Sequence, residues 1–473
     1  MDNSEHMDIS APQATSRRHQ TAGWGYSLLA RLHFYAGLLV GPFIFIAALS
    51  GALFALTPQI DGWLYQTELT ATTAGEPRPL ADQIAAARRY LGDEPVLAAV
   101  RPSAGPGQTS RIMFQAEELQ AFEHRAVFVD PVSLGVRGEL VVYGTSGTLP
   151  FRTWIDYLHR HLHLREAGRY YSELAASWLW LVALGGLILW WRRRQRRSSR
   201  GPSRDRRQLR QWHSRIGVVL LLAFLFFSIT GLTWSRWAGD NIAELRARLD
   251  WGTPAVNADL TRLPSPGQGH HNSHADHHLP TVLTGDSDKG PLYDAVLAQA
   301  RAAGIDATKL EIRPSPGPAR AWTVAEIDRS WPTQVDVVAI DPSSLEVVDQ
   351  VRFSDFPLAA KLTRWGIDAH MGILFGLPNQ IFVAICALGL CALILLGYRM
   401  WWLHRPTRAI SQRIATQRLW ADLRRAPLRA QLLLAAGAIG LGWFAPVFGA
   451  SFAAFLCADG LLAWREWRAR AIA

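Results

Sequence analysis

Histidines at the ends of apolar segments are the residues of this sequence best suited to chemistry. His33 and His213 lie where two apolar segments begin, and His159 and His370 each complete the spacing W-x4-H before another. Ionisable residues beside membrane segments are rare and usually face the interior of a helix bundle. Two imidazoles from different helices are the axial ligands that a b-type haem requires. The pattern therefore predicts two haem sites, His33 with His213 and His159 with His370. The alternative is that these histidines only form hydrogen bonds between helices.

The site that includes His159 has a second candidate ligand. His163 follows one helical turn later and could share its helix face, as an alternative iron ligand or as a hydrogen-bond donor to the ligand; His161 is expected to face away. Gly37 and Gly217 follow His33 and His213 by one turn, where a missing side chain would let a porphyrin approach the helix. Four arginines are candidate partners for haem propionates: Arg31, Arg160, Arg215 and Arg364.

Long apolar segments must position these histidines. Four are long enough to cross a hydrocarbon core of about 30 Å, namely 33–56, 172–191, 213–235 and 373–398. A fifth stretch, 430–464, is interrupted by Pro446 and predicts a helical hairpin. The formal charge of +10 comes from arginines beside the spans, ten in 192–210 and eight in 399–429. The positive-inside rule makes these segments and both termini cytoplasmic, and the same placement excludes a nucleic-acid-binding face.

The chain also contains an internal repeat. Segments 79–143 and 291–351 each begin with a predicted helix, Leu80–Leu91 or Leu292–Ala303, and continue in short β runs. An offset of 211 residues relates three pairs: Asp130 and Asp341, Trp154 and Trp365, His159 and His370. Each aspartate precedes a proline and is expected to start a β-turn rather than act in catalysis. The tryptophans are expected in the membrane-interface belt, with an electron exit as the alternative.

The fold class predicted is a membrane α-helical bundle with four long spans and a C-terminal helical hairpin. It carries two duplicated α+β domains outside the cytoplasm. A permease is excluded on the ground that the predicted spans contain no helix break or central charge. The three cysteines all lie in apolar segments, so neither a disulfide nor a Cys-based metal site is expected.

Four motifs resemble those of the PepSY-associated transmembrane helix family: RLHFYAGLLVGPF, LHRHLHLREAGRYYSELAASWLWLVALGGLILWW, WHSRIGVVLLLAFLFFSITGLTWS and DAHMGILFGLPNQ. The resemblance covers about 24–465 and implies that the two α+β segments are PepSY-like domains. It implies an iron-regulated inner-membrane protein similar to the di-haem ferrioxamine reductase, which reduces ferric siderophores at the periplasmic face. It also implies that the family's haem-binding histidines are His33, His159, His213 and His370.

These expectations define the domain boundaries. In chain order they are a cytoplasmic tail 1–25, span 26–56, the first PepSY-like periplasmic domain 57–158, span 159–191, an Arg-rich loop 192–212, span 213–235, the second PepSY-like domain 236–369, span 370–398, an Arg-rich loop 399–429 and the terminal hairpin 430–465.

The absence of a nucleotide-binding motif indicates which redox partners the protein would need. No Gly-rich dinucleotide fingerprint follows a strand, so no built-in NAD(P)H or flavin site is expected. Electrons would come from a membrane quinol or a cytoplasmic reductase, and they would pass to a ferric siderophore or other ferric chelate. The Arg-rich loops could dock an acidic donor by electrostatic steering, although contact with anionic lipid explains them as well.

A His-rich insertion and a competing function remain open. The insertion holds His270, His271, His274, His277 and His278, which either form a flexible, compositionally biased segment or bind Zn, Cu or Ni loosely. The competing function is a non-catalytic membrane sensor or inhibitor whose PepSY-like domains bind a protein partner. That function predicts no haem.

Overall fold

The computed structural model describes residues 23–92, 96–144, 147–195, 204–261, 290–315, 317–403 and 419–472. The chain divides into two compact units. The first comprises Met1–Leu49, Leu164–Asn241 and Cys386–Ala473, and the second comprises Ser50–His163 and Ile242–Ile385. Each predicted histidine pair therefore lies within one unit.

The helices alternate with two groups of strands. In chain order the helices are α1 (Trp24–Leu39), α2 (Gly41–Leu64), α3 (Gln66–Leu69), α4 (Leu80–Leu91), α5 (Pro150–His161), α6 (Arg165–Arg194), α7 (Arg204–Val219), α8 (Leu221–Thr233), α9 (Trp237–Arg248), α10 (Gly290–Ala302), α11 (Leu358–His370), α12 (Leu377–Trp402), α13 (Leu419–Arg425), α14 (Leu428–Phe444) and α15 (Pro446–Ile472).

Among the described residues, four helices are long and apolar enough to cross a membrane: α2, α6, α12 and the part Pro446–Ala469 of α15. A fifth is added if α7 and α8 form one span, since together they pass the same test across a bend of 60°. The predicted membrane-protein class is confirmed at this level.

Two predicted spans are interrupted at equivalent positions. The first is divided between α1 and α2 at Val40, and the third between α7 and α8 at Leu220, 180 residues later. Leu220 packs directly over Gly389 of α12, where a Cβ would collide with it. Nothing in the run VVLLLAF signals this break. The prediction of unbroken spans is therefore wrong, and it no longer excludes a permease.

The C-terminal helices α14 and α15 meet at Pro446, as the sequence suggested. They approach closely at two glycines: a Cβ on Gly442 would lie only 3.2 Å from Cα of Gly449. The fully buried Trp178 of α6 packs its ring on Phe448, and its Nε1 donates a hydrogen bond of 2.8 Å to Ser451 Oγ. These contacts attach α15 to the rest of the first unit.

The second unit is built on one eight-stranded antiparallel sheet. Its strands are β1 (Leu97–Arg101), β2 (Ser110–Phe114), β3 (Glu123–Val129), β4 (Val136–Tyr143), β5 (Leu310–Arg313), β6 (Trp322–Glu326), β7 (Val337–Ile340) and β8 (Val347–Val351), in the spatial order β4-β3-β2-β1-β5-β6-β7-β8. Helices α4 and α10 cover its core, in which Ile112, Val127 and Ile312 are fully buried.

The sequence predicted two separate α+β domains, whereas the structure joins both halves in one sheet through β1 and β5. Unpaired edge strands favour association with another strand, and pairing these two removes one edge from each half. Arg101 of β1 and Glu311 of β5 form a buried ion pair across the joint, at 2.6 Å. Asp294 of α10 accepts hydrogen bonds from the backbone N–H groups of Leu80 and Ala81, which begin α4.

His159 and His370 lie near the ends of short helices that precede the spans. The predicted spans 159–191 and 370–398 therefore start differently: α5 ends at His161 and α11 at His370, and the long helices begin only at Arg165 and Leu377. Left-handed residues separate the helices, including Leu162 at φ 53° and Gly372 at φ 74°. Such residues end a helix because they cannot continue its right-handed path.

Candidate functional site

The first unit brings His33 and His213 together. His33 lies on α1 and His213 on α7, and their ring centroids are 6.4 Å apart with planes inclined at 88°. Nδ1–H of His33 donates to the Val182 carbonyl of α6 at 3.0 Å. Nδ1–H of His213 donates in the same way to Leu393 of α12 at 3.1 Å. Because a carbonyl can only accept, Nε2 of each ring keeps its lone pair for a metal.

Glycines make room for these two imidazoles. A Cβ on Gly186 would lie 3.1 Å from Cε1 of His33, and a Cβ on Gly397 would lie 3.8 Å from Cε1 of His213. Gly186 and Gly397 are 211 residues apart, as are the two carbonyl residues. The sequence reasoning missed these positions, although the repeat offset would have found them.

The second unit brings His159 and His370 together. Their ring centroids are 6.3 Å apart and the planes are inclined at 65°. Nδ1 of His159 and the Ser50 hydroxyl share a hydrogen bond of 3.1 Å. A Cβ on Gly51 would lie 3.2 Å from Cε1 of the same ring. Helix α2 thus fixes the orientation of His159 through two consecutive small residues.

Both separations fit a porphyrin iron held between two imidazoles. An imidazole nitrogen binds a metal at about 2 Å and the ring centre lies about 1 Å behind it, so two axial ligands have ring centres about 6 Å apart. The predicted space beside His33 is present, since no described atom lies within 4 Å of a Cβ position at Gly37. At Gly217 a Cβ would lie 3.3 Å from Leu393.

Within the described ranges, no three His, Cys, Asp or Glu side chains form a group that could hold a metal ion. The two histidine pairs are thus the described arrangement best suited to metal chemistry. A pair supplies both protein ligands that a b-type haem needs. A zinc site would need at least three.

His163 does not share a helix face with His159, so that prediction is wrong. The helix ends at His161, and His163 has φ 57°. Its exposed ring packs on Trp154, with centroids 4.9 Å apart, while His159 is the residue that faces His370. His161 packs instead on Tyr157, also at 4.9 Å.

An open cleft of about 210 Å³ lies beside His163. Its lining includes Glu123, Tyr143, Trp154 and Tyr157. Burial raises the pKa of the Tyr157 phenol, and the nearby Glu123 carboxylate raises it further. The Tyr157 hydroxyl accordingly donates to Glu123, at 3.2 Å.

The four arginines predicted to bind propionates have partners within the protein. Their contacts are Arg31 with Asp422 at 2.8 Å, Arg160 with Asp156 at 3.6 Å, Arg364 with Asp368 at 3.3 Å, and Arg215 over the Trp212 ring at 5.8 Å. These contacts already provide each guanidinium with a neighbouring carboxylate or aromatic face.

The two aspartates of the repeat are turn residues, as predicted. Asp130 accepts from the backbone N–H groups of Val132 and Ser133 and also from those of Thr72 and Thr73. Burial opposes its ionisation, but the four hydrogen bonds together lower its pKa from 3.8 to about 2. Asp341 accepts from the backbone and hydroxyl of Ser343.

The paired tryptophans differ in environment. Trp154 is 53% exposed. Trp365 packs against Trp331 with centroids 5.5 Å apart, and its Nε1 donates to Thr333.

The prediction for the histidines 270–278 lies outside the described residues, as do parts of both Arg-rich loops.

Comparison with known families identifies the chain. The pattern of the PepSY-associated TM region family matches residues 30–404, a range that includes both histidine pairs. The chain belongs to this family, as the motifs in the sequence had indicated. No curated protein matches the chain significantly.

Proposed function

We propose that this chain is an inner-membrane oxidoreductase that binds two b-type haems and reduces a ferric siderophore, or another ferric chelate, at the periplasmic face. The observation that supports it is the pair of facing imidazoles in each unit, with ring centroids 6.4 Å and 6.3 Å apart. Both separations match what two axial ligands of one iron require.

The protein's own residues would bind the haem irons and fix the orientation of the histidine rings. His33 and His213 would hold one haem, and His159 and His370 the other. Nδ1–H of His33 and of His213, which donate to the Val182 and Leu393 carbonyls, and the hydrogen bond between Nδ1 of His159 and Ser50 would fix the ring orientations. Partners of metal-bound histidines commonly have this role. When bound, haem supplies one-electron transfer.

The electron balance defines the co-reactants. Each ferric ion gains one electron and leaves as Fe(II), which hard oxygen ligands hold less tightly. The donor is a membrane quinol, which serves two ferric ions per two-electron oxidation, or a cytoplasmic reductase. No step requires NAD(P)H or flavin bound to this chain.

The proposed topology places the Arg-rich loops 192–212 and 399–429 in the cytoplasm and the sheet of the second unit in the periplasm. The matching order of one helix and four strands in each half supports two duplicated PepSY-like domains. The close glycine contact between α14 and α15 supports a terminal hairpin at 430–465.

A visible spectrum of the detergent-purified full chain, oxidised and then reduced with dithionite, tests this function. We expect two b-type haems per chain by pyridine haemochrome. His33→Ala and His370→Ala should each lose haem from their own site, while the exposed His163→Ala serves as the matched control and should retain both. The reduced wild type should then be reoxidised by a ferric chelate, with Fe(II) trapped by a chromogenic ligand.

The competing function, a sensor or inhibitor that binds a protein partner, is favoured by the open aromatic cleft around Trp154 and Tyr157. It predicts a colourless protein even from haem-replete cells. That result would reject the reductase proposal.

A further inference from the structure

Two arginines of the second unit lack an ion-pair partner among the described residues. Arg152 of α5 stacks its guanidinium 4.6 Å from the centre of the Phe54 ring, and its Nε is enclosed with no hydrogen-bond partner. Arg111 of β2 is half-buried and donates to the Gly147 carbonyl at 3.2 Å. An enclosed cation is costly unless an anion compensates it.

One carboxylate, that of Asp61, attracts both arginines electrostatically without forming an ion pair with either. Asp61 of α2 is buried, its Oδ1 also lacks a partner, and it interacts electrostatically with both guanidinium groups. Two further charges act on Arg152 with opposite signs: Arg329 repels it and Asp156 attracts it. Burial, followed by the charge of Arg101, lowers the pKa of Arg111 to about 10, although Asp61 acts in the opposite direction. Asp61 thus acts on two guanidinium groups at once, and Nε of Arg152 still has no hydrogen-bond partner.

Arg152 lies on the helix face that holds the proposed iron ligand. Arg152 precedes His159 by seven residues on α5, which is two turns and the same face. Both residues also contact α2, His159 at Ser50 and Arg152 at Phe54. A carboxylate group on a ligand held by His159 would thus have a guanidinium on the same side of the helix.

We propose that Arg152, supported by Arg111, binds a propionate carboxylate of the haem held by His159 and His370. The inference rests on the proposed function. It assigns the propionate to a different residue from those the sequence suggested, because Arg160 is engaged by Asp156 and Tyr143, and Arg364 by Asp368.

The test compares Arg152→Gln with Arg160→Gln in the purified, haem-loaded full chain. Both variants remove one positive charge from the same helix, but only Arg152 lacks a carboxylate partner. The readouts are transfer of haem to apomyoglobin and spectroelectrochemical titration. Because a charge-assisted hydrogen bond would be lost, Arg152→Gln should release one of the two proposed haems at least roughly tenfold faster. The midpoint potential of that haem should fall, and Arg160→Gln should behave as wild type.

Two further variants distinguish loss of the propionate contact from misfolding of the protein. Arg152→Lys keeps the charge and should restore most of the retention. Asp61→Asn removes the competing carboxylate and should slow haem release and raise the same potential, the opposite of Arg152→Gln. Wild-type release and potentials in both Arg152→Gln and Asp61→Asn would overturn the inference while leaving the two-haem proposal intact. A wild-type protein without haem would overturn both.

Discussion

At the residue scale, the chemistry depends on how each imidazole is held. The histidines and their pairing were evident from spacing and repeat, but the partners of their Nδ1 atoms were not. Val182 and Leu393 are ordinary apolar residues in membrane helices, and their contribution is a backbone carbonyl that any residue would provide. Side-chain type cannot reveal a backbone acceptor. Only the packing of α1 on α6, and of α7 on α12, selects these positions.

The first residue-scale prediction concerns Gly51, which lies against the His159 ring. In Gly51→Ala the new Cβ would be 3.2 Å from Cε1, so the ring must shift and strain its bond to Ser50. Overpacking of this kind costs about 1–3 kcal/mol, so one of the two proposed haems should be released roughly tenfold faster. Haem transfer to apomyoglobin and the electron paramagnetic resonance of the ferric protein would measure it.

Gly62→Ala is the matched control for this change. Gly62 lies on the same helix, and no described atom lies within 4 Å of its Cβ position. Both substitutions favour the helix to a similar degree, because alanine is the better helix former by about 1 kcal/mol. Equal haem release in the two variants would show that Gly51 does not position His159.

At the element scale, the sheet depends on turns that the sequence identified correctly. Asp130 links the β3–β4 turn to the segment at Thr72 and Thr73 through four backbone hydrogen bonds. The sequence did not reveal that β1 and β5 pair, because the sequence of a short strand does not identify a pairing partner that is distant in the chain. That pairing turns two predicted domains into one sheet.

At the element scale, we predict that β3 and β4 lose stability at low pH. The pKa of Asp130 is lowered in the folded protein, so its stabilisation is complete above the ordinary pKa of 3.8 and is lost as the pH falls towards about 2. A shift of this size corresponds to about 2 kcal/mol. Hydrogen exchange of peptides covering 123–143, corrected for intrinsic rates, should show protection falling roughly 30-fold over this interval.

Asp130→Asn should remove most of this pH dependence and lower protection at neutral pH. Asp341→Asn is the comparison, because Asp341 occupies the equivalent turn and accepts hydrogen bonds from Ser343 and Ser344 within that turn. A smaller effect is expected there. An acid loss in Asp130→Asn as large as in wild type would assign the transition to other carboxylates.

At the scale of the whole molecule, topology decides on which side the proposed reaction occurs. In a variant whose cysteines are replaced by alanine, Glu117→Cys should react with a membrane-impermeant maleimide in intact spheroplasts. Gln195→Cys, at the end of α6, should react only after the membrane is opened. Both positions are exposed, so accessibility within the protein does not differ. The reverse labelling pattern would place the sheet in the cytoplasm and reject periplasmic reduction.

The sequence by itself determined the membrane class, the family, the four histidines and their pairing, and the turn role of the aspartates. Composition, charge placement and repeat offset carry this information locally or at a fixed spacing. Tertiary structure alone decided the breaks at Val40 and Leu220, the separate helices that end near His159 and His370, and the joining of the two halves in one sheet. It also decided which arginines are engaged by carboxylates and which are not. Each of these depends on contacts between residues far apart in the chain, and neither propensity nor periodicity encodes such contacts.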